Sequence, residues 1–366
     1  MDPYNAFAGN LILALNPRIP FTNIGLYRNQ QLIFLKKINH ADEDLKDFNR
    51  YAEQTEYRTR QILNELKANG LPIEEIKVII SRGGLVRPVH SGIYRVNEVM
   101  MNDLRMGFAG EDVVNLGGLV AYELTSHIPG SSAYVADPVV VDEFEEIAKV
   151  SGHPEFRRKS VFHALEQKTV ARKYAKNIQK KYEELNLIVA QMGNGITVGA
   201  HKKGRVIDAN QGLDGDGPFS PSRTGSVPIG DLIDLCFSGK YTHDQLQSMI
   251  TVDGGLFAYL GVHDGYSADH MAAAGNQMAA FYLKAMAYQV AKTIGAMHAV
   301  LAGEVDAILL TGGMVNSSIF MEELQLRIHR IAPVHSYPNE DDIESLAMNG
   351  FYILRGEINV DEYYPD

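Results

Sequence analysis

The sequence predicts a two-domain α/β protein, and three observations carry the prediction. Short apolar strands recur and several end in glycine or a small polar residue; helical stretches lie between them; and both halves open on a strand, a polar turn and a second strand. A chain of 366 residues is long enough for two domains, each with its own core, and a cleft between them.

The first half begins with a strand over residues 11–15, ended by Asn16. Strands at 23–27 and 31–37 flank Arg28-Asn29-Gln30, which reads as a hairpin turn. A strand at 77–80 runs into Ser81-Arg82-Gly83-Gly84. The second half repeats the opening: residues 187–190 run into Gln191-Met192-Gly193-Asn194-Gly195, a strand follows to 200, and Lys202-Lys203-Gly204 turns into 205–209. A last strand at 307–310 enters Thr311-Gly312-Gly313. Helical patterns cover 44–69, 111–126, 159–182 and a long stretch, 268–301. The acidic run Asp142, Glu143, Glu145 and Glu146 before Ser151-Gly152-His153-Pro154 suits a connection, so the domains are expected over 1–150 and 151–341. The tail from Val360 to Asp366 reads as a frayed acidic end.

Composition narrows the class. With 45% apolar and 22% charged residues the chain is an ordinary globular protein. A net charge of −11 repels nucleic-acid phosphates and anionic membranes, so neither is expected as a partner. Cys236 is the only cysteine, which rules out an intrachain disulfide and a Cys-rich metal site. No charged-then-apolar leader and no membrane-length apolar run is present, and a cytoplasmic location is expected. The histidines include no His-Glu-x-x-His pattern, so zinc is not expected either.

Glycine turns after buried strands let backbone N–H groups approach an anion with no Cβ in the way. Gly83-Gly84, Gly193-Asn194-Gly195 and Gly312-Gly313 are three such turns. Each alone is as well read as a tight turn. Together at strand carboxyl ends, where ligands of open α/β sheets gather, they point to a phosphate-binding cleft.

Longer blocks carry a specific resemblance. They are Arg82-Gly83-Gly84-Leu85, Asp137-Pro138-Val139-Val140-Val141-Asp142-Glu143, Arg158-Lys159-Ser160-Val161-Phe162-His163-Ala164-Leu165, Val198-Gly199-Ala200-His201-Lys202-Lys203-Gly204-Arg205, Asp214-Gly215-Asp216-Gly217-Pro218-Phe219-Ser220-Pro221, Ala285-Met286-Ala287-Tyr288-Gln289 and Leu310-Thr311-Gly312-Gly313. Over nearly its whole length the chain resembles the butyrate kinases, a branch of the acetate and propionate kinase family. The resemblance implies an actin-like, hexokinase-like (ribonuclease H-like) ATPase fold of two related mixed-sheet domains, with a final helix near 342–355 returning to the first. It implies ATP and magnesium as cofactors, a short-chain carboxylate or acyl phosphate as the other partner, and a homo-oligomer.

By motif position Arg82 and Arg223 resemble the family's active-site arginines, whose planar forks suit carboxylate and phosphate oxygens. His163 matches the histidine that contacts the transferring group, and Asp137 the aspartate that orients magnesium through water. Asp342 fits a second acidic group at the metal slightly better than Glu340. Asn16, Arg18, Gly193, Asn194, Gly195, Gly312 and Gly313 are the expected phosphate-side residues. Plainer readings stand beside these: Asp137 as a turn cap before Pro138, His163 as a helix histidine, Arg223 as a surface charge. Val86, Pro88, Ile93 and Tyr94 would line a small apolar wall for the acid, or be ordinary core.

Three departures touch the reaction centre. Butyrate kinases carry Asn-Pro-Gly-Ser-Thr-Ser-Thr-Lys in the first loop, of which this chain keeps Asn16, Pro17 and Thr22. Ile19 and Phe21 supply no hydroxyl, Pro20 no N–H, and Asn23 no charge, so Arg18 is the residue placed to restore a cation. Asp112 replaces a histidine three residues before Asn115-Leu116-Gly117, and Gln191 replaces one before Met192-Gly193. Two functions therefore stand open, an active acyl kinase and a catalytically impaired relative that keeps the shell as a nucleotide- or partner-binding protein.

Overall fold

The computed structural model describes residues 10–338 and 342–364. Contacts divide the chain into two compact units, residues 1–141 with 341–366, and residues 142–340.

In the first unit β1 (Leu11–Pro17), β2 (Phe21–Arg28) and β3 (Gln31–Asn39) form an antiparallel meander. Asn29, at φ +56°, makes the tight turn between β2 and β3. β4 (Ile76–Arg82) pairs in parallel with the other edge of β1, and β6 (Ser132–Ala136) in parallel with β4. β5 (Ile93–Arg95) and β12 (Val360–Glu362) complete the order β12-β5-β6-β4-β1-β2-β3. β1 is buried along its whole length, as its unbroken apolar run requires of a central strand covered on both faces. The helix Asp342–Arg355 covers one face. Gly350 lies so close that an added Cβ would stand 2.6 Å from Ile12 and 3.3 Å from Val78. Three residues beyond Val78, on the opposite face of β4, Ser81 meets Gly117 of the helix Leu116–His127.

The second unit repeats the plan. β7 (Asn186–Met192), β8 (Ile196–Lys202) and β9 (Arg205–Ala209) form the meander, β10 (Ala307–Thr311) pairs in parallel with β7, and β11 (Val334–Tyr337) with β10. Its order β11-β10-β7-β8-β9 matches the β6-β4-β1-β2-β3 portion of the first sheet. Alternation along β7 sends Ile188, Ala190 and Met192 into a core with Leu283, Met286, Val290 and Ile294 of the helix Gln277–Val300. Leu187 and Val189 point the other way, against Val170, Ala171 and Tyr174 of the helix Ala164–Asn177.

Several sequence expectations are corrected. The long helix over 268–301 is two, Gly265–Ala273 and Gln277–Val300, because Gly275 takes φ +95° and Asn276 caps the second by accepting from Ala279 N at 3.1 Å. The 44–69 helix becomes Asp42–Leu45, a short 3-10 turn and Thr55–Ala68. There the Glu53 carboxylate takes the Asn49 N–H at 2.8 Å and turns the chain. Helix 111–126 starts at Leu116 behind the 3-10 turn Val113–Asn115, and helix 159–182 spans only Ala164–Asn177, with Gln179 at φ +57° just beyond its end. The tail is not frayed through Tyr363, a fully buried side chain whose hydroxyl donates to Asp103 Oδ2 at 2.7 Å and accepts from Arg87 N at 3.0 Å. Pro365 and Asp366 lie outside the described residues.

The acidic connection belongs to the second unit. Glu143 Oε2 meets buried Lys168 Nζ at 2.8 Å and accepts from Val206 N at 2.9 Å. Among the described residues no helix is long and apolar enough to cross a membrane.

Candidate active site

In the second unit the Gly193-Asn194-Gly195 turn joins β7 to β8. Asn194 O accepts from Ser220 Oγ at 2.5 Å and from Ser222 N at 3.3 Å, which lashes the 220–223 loop to the turn. Arg223 N donates to Ser220 Oγ at 3.1 Å, and Arg223 Nη1 donates to Gly212 O. A Cβ on Gly195 would stand 2.3 Å from Arg223 Nη1 and 3.4 Å from His163 Cε1. A side chain there would push the guanidinium aside, and the contact places three predicted site residues side by side.

His163 immediately precedes the helix Ala164–Asn177, and its Nδ1 lies 2.8 Å from Thr197 Oγ1 on β8. Thr311 pairs with Gln191, so the turn after β10 reaches the end of β7. Gly312, at φ +92°, lies where a Cβ would be 2.5 Å from Met192 O, while around Gly313 there is open space. The two glycine turns are thus neighbours. Gln191 is buried, and its Oε1 has no hydrogen-bond partner among the described residues. A small depression beside Arg223 is lined by Ile196, Gly212, Asp214, Asp216 and Ser220.

The first unit holds the other predicted residues. Arg82 ends β4 and is buried; a Cβ on Gly117 would stand 2.6 Å from its carbonyl oxygen. Gly83 packs on Pro138, where an added Cβ would stand 2.5 Å from the ring, so the Arg82 turn and Asp137 are adjacent. Asp137 takes φ +37°, and its Oδ1 accepts from Ser91 Oγ at 2.6 Å and Gly92 N at 3.0 Å. Asn115, which the sequence showed only as part of a motif, pins the Gly83-Gly84 turn by accepting from Leu85 N at 2.8 Å. Asp112 caps the turn Val113–Asn115, accepting from Val114 N at 2.9 Å, a local task for its carboxylate. Val86, Ile93 and Tyr94 are buried in the core, whereas Pro88 is exposed.

In the rebuilt first loop Arg18, Ile19 and Pro20 lie between β1 and β2, and Pro17 pairs with Thr22. Arg18 Nη2 and Asn16 Nδ2 both donate to Asp342 Oδ2, each at 2.7 Å. Beneath the turn lies Arg58, fully buried although it belongs to the helix Thr55–Ala68 and no motif marks it. Its Nη1 donates to Arg18 O at 2.9 Å, Phe21 O at 3.3 Å and Thr22 Oγ1 at 2.9 Å, and its Nη2 to Ile19 O at 3.0 Å. Burial lowers its pKa to about 10, so it stays charged at neutral pH. Thr22 Oγ1 also meets His40 Nε2 at 2.9 Å, and burial beside Arg58 lowers the pKa of His40 to about 4.

The open space around Gly313 and the neighbouring Gly193-Asn194-Gly195 turn beside Arg223 fit a nucleotide's phosphates. For a metal the fit is narrower. No group of three or more His, Cys, Asp or Glu is placed to hold an ion among the described residues, and Asp342 already carries two donors. Asp137 fits the mode of magnesium held by one or two carboxylates together with substrate phosphates. Glu340 lies outside the described residues.

The sequence profile of the acetokinase family matches residues 153–335, half of the chain. The chain belongs to the acetokinase family. The structure is similar to the Porphyromonas gingivalis acetate kinase, with TM-score 0.73 and 18% identity over 94% of this chain and 100% of that one. It is equally similar to a propionate kinase from Francisella tularensis subsp. tularensis SCHU S4, with TM-score 0.73 and 16% identity over 93% and 98% of the two chains. The Entamoeba histolytica acetate kinase matches at TM-score 0.73 and 14% identity over 95% and 99%. This acetokinase-family chain therefore has the two-domain, actin-like mixed-sheet fold, and its family phosphorylates short-chain carboxylates with ATP.

Proposed function

We propose that the protein transfers the γ-phosphoryl group of ATP to butanoate, or to a related short or branched acid, giving an acyl phosphate in a reversible reaction. The observation that carries this reading is the contact of Gly195 with Arg223 and His163. A carboxylate oxygen attacks the γ-phosphorus, the bond to the bridging oxygen breaks, and ADP leaves with the electron pair. Charge spreads over the transferring oxygens, so positioning and fixed donors supply the catalysis. Arg223 and His163 take the role of donors to that group, and Arg82 that of a carboxylate or phosphate partner. Backbone N–H groups of the 193–195 and 312–313 turns, with Asn16 and Arg18, are assigned to the nucleotide phosphates. Magnesium, with Asp137 as its protein carboxylate, would neutralise phosphate charge. Asp342 is assigned to ordering Arg18 and Asn16.

One observation favours the second reading, an impaired relative that binds nucleotide or a partner. Arg18 is drawn to Asp342, and the loop's carbonyls are held by Arg58. A coupled hydroxamate assay with acids of two to five carbons tests the first reading. Acyl phosphate peaking at butanoate supports it; none with any acid, while ATP and magnesium still raise the melting temperature, leaves the second.

We assign the protein to a homo-oligomer in the cytoplasm. Support for the oligomer comes from the helix Ile229–Phe237, none of whose residues is buried and whose Phe237 is 87% exposed. Light scattering tests that assignment, and a monomer at micromolar concentration would refute it.

A further inference from the structure

A chain of buried polar side chains runs from His163 through the second unit. Along β8, Thr197, Gly199 and His201 share one face by the period of two. Gln167, one turn into the helix that begins beside His163, reaches between them. Gly199 makes the room: a Cβ there would stand 2.4 Å from Gln167 Oε1.

Along this row each donor and acceptor constrains the next. Gln167 Nε2 lies 3.2 Å from Thr197 O and 2.9 Å from Thr197 Oγ1. A backbone carbonyl only accepts, so the amide NH₂ faces Thr197 and Oε1 faces the other way. There Oε1 lies 2.9 Å from His201 Nε2, which must therefore carry a proton. Full burial holds His201 well below the usual histidine range, hence neutral, so its Nδ1 is bare and accepts from Tyr182 Oη at 2.6 Å. At the other end Thr197 Oγ1 accepts from Gln167 Nε2 and from His163 N at 3.4 Å, which fills both lone pairs, so its own proton needs an acceptor. Among the described residues that acceptor is His163 Nδ1, at 2.8 Å.

We propose that Thr197 and Gln167 are positioning residues that hold His163 as the tautomer protonated on Nε2. Nδ1 is used by the Thr197 hydroxyl, so the ring turns an N–H, not a lone pair, away from β8. Cε1, bonded to both ring nitrogens, lies against Gly195, and with Nδ1 taken by Thr197 it is Nε2 that remains to face a ligand on that side. Resting on the functional reading above, this N–H is the donor to the transferring phosphoryl oxygens, and the opposite tautomer would present a lone pair to anionic oxygen. The proton stays on His163 throughout, so no general-base step is involved.

The test is ¹⁵N NMR of the full-length chain labelled at histidine, with kinetics alongside. In the unmodified protein His163 should give the Nε2–H pattern with no substrate present. Gln167→Glu replaces the NH₂ by an acceptor, the Thr197 hydroxyl turns to it, and His163 should shift to Nδ1–H. The kcat should fall on the order of a hundredfold, the scale for losing one transition-state donor, with KM for ATP little changed. Thr197→Val, a second route should the buried carboxylate unfold the chain, should release the ring into mixed tautomers, while Thr197→Ser should restore the original pattern. His163 found as Nδ1–H in the unmodified protein, or unmoved in both Gln167→Glu and Thr197→Val, overturns the proposal. Because the tautomer is read without turnover, an Nε2–H pattern in a protein that makes no acyl phosphate counts against the kinase reading alone.

Discussion

Arg18 Nη2 and Asp342 Oδ2 lie 2.7 Å apart, which ties the end of the first strand to the start of the last helix within one unit. The same oxygen takes Asn16 Nδ2 at 2.7 Å, so the cation at the rebuilt turn is oriented by a partner more than three hundred residues away in sequence.

That pair is partly exposed and should be modest in energy. A double-mutant cycle of Arg18→Met and Asp342→Asn, read by urea unfolding, is expected to give a coupling of about 0.5–1 kcal/mol that shrinks in high salt. A coupling indistinguishable from zero at low salt would show that the pair does not form in solution.

Arg58→Met should cost much more. It leaves the carbonyls of Arg18 and Ile19 without their side-chain donor, while Phe21 O keeps Arg18 N, at about 1–3 kcal/mol for each group that water cannot reach. Arg58→Lys should recover little, since one ammonium cannot copy the planar fork. Unfolding midpoints of the three proteins decide it, and a lysine variant as stable as the parent would refute the account.

Gly195→Ala introduces a methyl 2.3 Å from Arg223 Nη1. The guanidinium must move by about an ångström, and acyl phosphate formation should fall on the order of a hundredfold with melting temperature nearly unchanged. Unaltered turnover would remove Arg223 from the proposed chemistry.

Stability should depend on pH through His40. Its folded pKa of about 4 lies below the unfolded value of 6.5, so the unfolded chain binds the proton first. The contribution is full above pH 6.5 and is lost as pH falls toward 4. Allowing for screening, the loss is about 2 kcal/mol. Buried His201 acts in the same direction. Denaturation at pH 7.5 and pH 5 measures it, and equal stabilities would contradict the burial argument.

Gly350→Val should destabilise the first unit by about 1–3 kcal/mol, because the added atoms collide with Ile12 and Val78. Calorimetry showing no loss would mean that the final helix is loosely seated.

The sequence by itself determined the fold and half of the site's logic. Strand periodicity and terminal glycines placed β1, β4, β7 and β10, because a strand buried on both faces must be apolar throughout. Gly195 and Gly312 were legible as turns since only their positions, not their partners, had to be found. The strands β5, β6, β11 and β12 are not legible in the sequence, being short and, unlike β10, not ended by a glycine turn. Partners were decided only by the tertiary structure. Arg58 looks like any helix arginine until the turn above it supplies carbonyls, and Thr197 and Gln167 become one hydrogen-bonded unit only when a helix is laid across β8. Periodicity is a local property that each stretch of chain carries alone, whereas the fate of a proton or a buried charge depends on which distant group folding brings within three ångströms.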